Sequence, residues 1–133
     1  MSTIFISYRH VSPDQELAHF LAAYCQQRNH TVFVDTQMHV GTRWSAEIEQ
    51  QLRAARFLIV LLSPHSIRSD MVRREVQLVH DLSLQHPDRH TILPVRVAYD
   101  GELPYDLGSW LDPLQYVVWH EGQNETVGNA IIA

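Results

Sequence analysis

Two kinds of apolar pattern alternate along this chain: short β-branched or aromatic runs, and longer stretches with helical spacing. Thr3-Ile4-Phe5-Ile6-Ser7-Tyr8 reads as a first strand. Ser12-Pro13-Asp14-Gln15 reads as a helix start, with Ser12 as cap, Pro13 at the first helical position and Gln15 completing a capping box. Leu17, Phe20, Leu21 and Tyr24 follow at helical spacing and carry this helix to about Arg28. Thr31-Val32-Phe33-Val34 is a second strand that closes on Asp35. The loop that opens at Thr36 and closes at Arg43 contains Gly41, and a second helix over 44–55 sets Ile48 and Leu52 on one face. The unbroken run Phe57-Leu58-Ile59-Val60-Leu61-Leu62 suits a central parallel strand covered on both faces, and Ser63-Pro64 ends it. A third helix runs over 69–85. Thr91 to Val97 is a fourth strand, in which Pro94 points to a place near a sheet edge or a bulge. A loop with Gly101, Pro104, Gly108 and Pro113 leads to a fifth strand over 115–119, and a last helix starts near Glu121.

Strands alternating with helices predict an α/β fold, a parallel sheet with helices on both faces. Five strands fit the flavodoxin-like order 2-1-3-4-5, whose ligands sit beyond the carboxyl ends of the strands, at the switch between strands one and three. The segments to search are therefore 7–10, 35–44, 63–67 and the start of the third helix.

Within those segments Glu75 stands out. On a wheel of roughly 100° per residue, Met71, Val72, Val76, Leu78, Val79 and Leu82 form an apolar arc. Arg73, Arg74, Gln77, His80 and Asp81 lie opposite, and Glu75 falls inside the apolar arc. Burying a bare charge is expensive, so Glu75 is either half of a buried ion pair, with Arg9 or Arg43, or a functional carboxylate. Trp44 either covers the core edge or forms an aromatic wall for a ligand ring. Arg9 and Arg43 are either solvated surface residues or phosphate contacts, a task suited to the guanidinium fork. Asp35, closing the second strand, commonly caps or turns a loop.

Composition narrows the chemistry. A length of 133 residues fits a single domain over 1–133, and 45% hydrophobic residues suffice for a core. Every basic residue is arginine, which removes lysine nucleophiles, Schiff bases and a P-loop lysine. The net charge is -5 with no basic block, which points away from nucleic acid. A lone cysteine, Cys25, allows no intrachain disulfide and fits a cytoplasmic setting. No leader and no membrane-spanning apolar run is expected. Nine scattered histidines show no metal-ligand spacing, so no metal site is expected. Ser63 lacks a nucleophile-elbow context, and neither dinucleotide nor P-loop glycine fingerprints occur. A response-regulator receiver would need an acidic cluster at strand one and a lysine after strand five; this chain has neither.

Taken together, three boxes resemble the Toll/interleukin-1 receptor (TIR) domain family. Ile4-Phe5-Ile6-Ser7-Tyr8-Arg9 resembles its opening "FISY" box. Val32-Phe33-Val34-Asp35, with Gly41 and Trp44 beyond it, resembles the second box and its BB loop. Leu58 to Ser63, followed by Arg73-Arg74-Glu75-Val76, resembles the third strand and the "WCxxE" start of helix three. The order and spacing of the boxes cover the chain to about residue 80. The resemblance is nearest to the bacterial, NAD+-cleaving TIR domains, and it implies the following expectations. Glu75 is the catalytic residue for cleavage of the nicotinamide–ribose bond, giving ADP-ribose or a cyclic isomer. Arg9 or Arg43 holds the diphosphate; Tyr8, Trp44 or Met71 lines the ring pockets; Asp35 joins the substrate contacts. NAD+ is substrate, and no cofactor is needed. Self-association through TIR–TIR contacts at the BB loop activates the domain, in a defence role against phage. The alternative is a non-enzymatic scaffold for TIR–TIR signalling contacts. The stop at Ala133 inside an apolar helix leads us to expect an amino-terminal module of a longer protein. Two departures bear on rate and product: Met71 and Val72 replace the tryptophan and cysteine of "WCxxE", and His39 and Val40 stand where some active relatives carry an acid.

Overall fold

The computed structural model describes residues 2–34 and 46–132, the side chain of residue 132 excepted. Eleven elements follow in order. They are β1 (Thr3–Ser7), α1 (Asp14–Gln27), β2 (Thr31–Val34), α2 (Ala46–Ala54), β3 (Phe57–Leu62), a 3-10 turn (Ser66–Arg68), α3 (Asp70–Gln85), β4 (Thr91–Val97), α4 (Tyr105–Leu111), β5 (Val117–Trp119) and α5 (Asn124–Ile132). The strands form one parallel sheet in the order β2-β1-β3-β4-β5, as the alternating pattern predicts.

Strand alternation divides the core into two layers. Phe5, Leu58, Val60 and Leu62 face one way and pack with Ile48, Leu52, Val72, Val76, Leu107 and Leu111 of α2, α3 and α4. Ile4, Ile6, Ile59 and Leu61 face the other way and pack with Leu17, Leu21 and Val127 of α1 and α5. β3 is the spine: Leu58 through Leu61 are 0% exposed, as expected of a strand covered on both faces. The chain moves from β1 outward to β2, then back across to β3. Right-handed crossovers therefore put α1 on one face and α2, α3 and α4 on the other. The carboxyl ends of β1 and β3 lie side by side at this reversal, with Ser7 in register with Val60.

Four local expectations need correction. The capping box at Ser12 does not form. α1 begins at Asp14 with Pro13 as cap and no side-chain cap bond. The Ser12 hydroxyl instead donates to Glu16 Oε1 at 2.5 Å, which holds the Glu16 carboxyl below its usual value. The segment between β4 and β5 is not all loop. Pro104 caps α4, which buries Leu107, Gly108 and Leu111. Gly108 lies inside this helix and does not break it; an added Cβ there would stand 3.1 Å from an Asp112 carboxylate oxygen, the end of an exposed side chain that can give way. β5 is shorter than expected, three residues beginning at Val117. Pro94 lies in an interior strand rather than at the sheet edge: it is in register with Val60 of β3, and on its other side the ladder to β5 starts one residue later, at Val95. No helix among the described residues is long and apolar enough to cross a membrane.

Candidate functional site

α3 carries its amino terminus to the carboxyl ends of β1 and β3. Ser69 caps it, its hydroxyl accepting from the Val72 amide at 3.2 Å. The face turned to the sheet bears Val72, Glu75, Val76, Val79 and Leu82, all buried, and Glu75 is 0% exposed. β1 supplies its partner. Ser7 sits two residues beyond Phe5, so alternation points it to the same layer. Its hydroxyl donates to Glu75 Oε1 at 2.7 Å, with both residues buried. This bond fixes the rotation of the Glu75 carboxyl group.

The remaining predicted site residues are dispersed. Met71 is half-buried and lies one helical turn before Glu75, on the same side of α3. Arg9 is exposed in the loop after β1, and its carbonyl accepts from the Val11 amide at 2.8 Å. Among the described residues no ion pair joins Arg9 to Glu75. Tyr8 is 1% exposed and belongs to the α1/α5 layer, across the sheet from Glu75; its ring stacks on His10 at 4.5 Å. Asp35, Arg43 and Trp44, and the loop between Thr36 and Arg43, lie outside the described residues. The structure thus joins Ser7 and Glu75, with Met71 beside them.

A second buried carboxylate was not anticipated. Asp14, in the first turn of α1, is 0% exposed, and the Ser63 hydroxyl donates to its Oδ2 at 2.5 Å. Ser63 Oγ in turn accepts from the amides of His65 at 3.2 Å and Ser66 at 3.1 Å. The Ser66 hydroxyl donates to the Leu61 carbonyl at 2.5 Å and accepts from the Ser63 amide at 2.9 Å. The other Asp14 oxygen, Oδ1, has no hydrogen-bond partner among the described residues. Burial pushes the Asp14 carboxyl up from 3.8, outweighing the opposing pull of the Ser63 hydrogen bond and of nearby His65. Each carboxylate is bonded by a serine from a strand end, Ser7 or Ser63. For Ser7 the signal was available: a polar residue at the inward phase of an apolar strand. For Asp14 no pattern distinguished a buried acid from an ordinary acidic first turn.

The sequence model of the family described as "TIR domain" matches residues 4–131. No curated protein matches the chain at the sequence level. Several solved structures share its fold. The TIR domains of the activated Roq1 resistosome, which directly recognises the pathogen effector XopQ, superpose with a TM-score of 0.75 at 14% identity, covering 99% of this chain and 98% of that one. A metazoan TIR-STING receptor from C. gigas, in complex with 2',3'-cGAMP, gives 0.68 at 21% identity. The match covers 96% of this chain but 38% of the receptor. The TIR domain of the Toll-related receptor TRR-2 from Hydra magnipapillata gives 0.66 at 19% identity, covering 99% of this chain and 95% of that one. At these identities the likeness is one of fold.

Proposed function

The chain belongs to the TIR domain family, and from that premise we propose that it is an NAD+ glycohydrolase of the bacterial type with Glu75 as its catalytic carboxylate. The observation that carries this reading is Glu75 itself: an acid within an apolar helix face, 0% exposed, hydrogen-bonded by Ser7 at the reversal point of the sheet. An acid contributes little to stability there and costs several kcal/mol in desolvation, so function is the better account of its presence.

The chemistry needs one carboxylate. Nicotinamide in NAD+ is cationic and leaves without a general acid. The bond from ribose C1′ to the ring nitrogen breaks, its electron pair stays on that nitrogen, and neutral nicotinamide departs. The ribose left behind has oxocarbenium character, as in glycoside hydrolysis. Glu75 hydrogen-bonds the ribose hydroxyls and stabilises that charge. Water then adds to C1′ and loses a proton, giving ADP-ribose; attack by an adenine nitrogen gives a cyclic isomer instead. Arg9 and Arg43 serve the diphosphate, Trp44 and Met71 the rings, and Asp35 the remaining substrate contacts. Tyr8 has its ring in the opposite layer and supports the β1 end from below.

At 0% exposure, Glu75 reaches substrate only after its cover moves. Self-association through the BB loop is the step that uncovers it, which makes turnover rise more steeply than protein concentration. The defence role follows the same line: one similar structure is a resistosome that recognises a pathogen effector. A scaffold without turnover is the second reading. Exposed apolar side chains favour it, Tyr105 at 92% and Tyr116 at 54% among them, because such groups suit protein contacts.

The deciding assay is NAD+ consumption at high protein concentration with a crowding agent, wild type against Glu75→Gln, with products separated by chromatography. Nicotinamide release by the wild type, abolished in a variant that melts at the same temperature, supports the enzyme. Equal turnover by both removes Glu75 from the role. No consumption under any assembling condition leaves the scaffold.

A further inference from the structure

The end of the sheet opposite Glu75 carries a feature that NAD+ cleavage does not use. α2 and α3 both finish there, and β3 and β4 both begin there. Between them lies a cavity of about 310 Å³ lined by Arg53, Ala54, Arg56, His86, Arg89 and His90. In a chain of net charge -5 with ten basic residues, three arginines and two histidines converge on one pocket without a carboxylate in its lining.

The pocket is built on fixed backbone. The Arg56 amide donates to the Thr3 carbonyl at 2.8 Å, and the Arg56 carbonyl accepts from the Thr91 amide at 2.9 Å. The Arg89 amide donates to the His86 carbonyl at 2.9 Å. His90 is 8% exposed, and its Nδ1 lies 3.0 Å from the Ala55 carbonyl. A carbonyl only accepts, so Nδ1 carries the proton, and Nε2 is left for another partner.

The plainer account is that these cations neutralise helix ends. Each helix carboxyl terminus amounts to about half a negative charge, so α2 and α3 together offer about one. Arg53 is already matched by Glu49 at 3.3 Å. Among the described residues Arg56 and Arg89 form no ion pair; Arg56 only stands over the Phe57 ring, at 5.5 Å. Asp88, beside Arg89 in sequence, neither lines the cavity nor pairs with its arginines. Two guanidinium groups against about one dispersed charge leave an excess of about one positive charge. Helix ends therefore do not account for the cluster.

We propose that this pocket binds a compact phosphate polyanion of the diphosphate or triphosphate class. Guanidinium forks match phosphate oxygens bidentately. No phenylalanine, tyrosine or tryptophan lines the cavity, so it reads the phosphates and offers a base no stacking surface. The six residues of β3 separate it from the Glu75 end by roughly 20 Å, so it is distinct from the NAD+ site.

The test is calorimetric titration of the whole chain with inorganic diphosphate. The expected result is one site per chain, weakened at least tenfold by Arg56→Gln and by Arg89→Gln and abolished in the double variant. Arg68→Gln, at an exposed arginine that ends the 3-10 turn, should bind as the wild type does. Arg56 and Arg89 are both exposed, so unfolding is not expected, and each variant checks the other. Parallel titrations with a nucleoside triphosphate, and with vesicles containing phosphatidylinositol bisphosphate, tell a free nucleotide from a lipid headgroup; loss of either through Arg56 and Arg89 supports the pocket. Absence of diphosphate binding, binding indifferent to Arg56 and Arg89, or equal weakening by Arg68→Gln overturns the proposal.

Discussion

Replacing Ser63 by alanine should destabilise the protein by an amount that grows with pH. Ser63 Oγ gives its proton to Asp14 Oδ2 at 2.5 Å and receives two amides, those of His65 and Ser66. His65 is exposed, so its amide can turn to water; Ser66 is 0% exposed, so its amide would be orphaned at a cost of about 1 kcal/mol. The bond to Asp14 contributes about 1 kcal/mol while the acid is protonated and about 1.5–3 kcal/mol once it is ionised. The total loss is therefore about 2 kcal/mol at the acid end and about 2.5–4 kcal/mol at the alkaline end. Linkage gives the same sign. The Asp14 carboxyl is raised in the folded state, so its contribution is fully present below the unfolded value of 3.8 and is lost as pH rises through the folded value. Removing the Ser63 hydrogen bond, which opposes that rise, raises it further and extends the loss to higher pH. Urea unfolding of both proteins from about pH 4 to about pH 8 reads the difference directly, since other titrations common to both cancel. A difference that stays flat, or narrows as pH rises, would refute a buried carboxylate restrained by Ser63.

Two further substitutions probe the Glu75 end. Ser7→Ala removes the hydroxyl 2.7 Å from Glu75 Oε1; a charged hydrogen bond of about 1.5–3 kcal/mol predicts a fall in kcat of roughly 10- to 100-fold with little change in KM. Ser7→Thr should recover most of it in the same steady-state assay, and a KM effect alone would place Ser7 in binding. Ser69→Ala deletes the α3 cap at the Val72 amide and should cost about 1 kcal/mol in urea unfolding; a loss under a few tenths would mean that water replaces the cap.

What was legible in the sequence follows from how much a pattern depends on distant partners. β3 could be read because an unbroken apolar run has one economical place in an α/β fold, and Leu58 through Leu61 are indeed 0% exposed. Glu75 could be singled out because a 16-residue helix defines its own buried face. α4 was missed because Gly108 and the flanking prolines are breakers in isolation, whereas here Pro104 takes the cap position and the helix buries Leu107 and Leu111 in the core. Asp14 was read as part of a helix start. Its burial depends on Ser63, 49 residues away, which no local window contains. The same distance defeated the capping box: with Asp14 turned inward, Ser12 bonds Glu16 instead.

The location of the two buried acids follows from the polarity of the fold. In a parallel sheet every α-helix that leaves a strand starts near the carboxyl edge, so helix amino termini gather there and favour negative charge. Asp14 lies in the first turn of α1, and α3 brings Glu75 to the same edge. That field does not govern the Asp14 carboxyl: it contributes about 0.3–1 kcal/mol, up to about 2 in partly buried settings. Desolvation is larger, as the upward shift of the carboxyl shows. The field lowers the cost of an acid at this edge, and the serines at the strand ends supply the specific bonds. The opposite edge gathers helix carboxyl termini and tolerates cations by the same argument. Arg53, Arg56 and Arg89 collect there in greater number than the helix ends require. A shared field thus explains which sign of charge each edge accepts, while the surplus, a carboxylate buried at one end and unmatched guanidinium at the other, marks where ligands are to be sought.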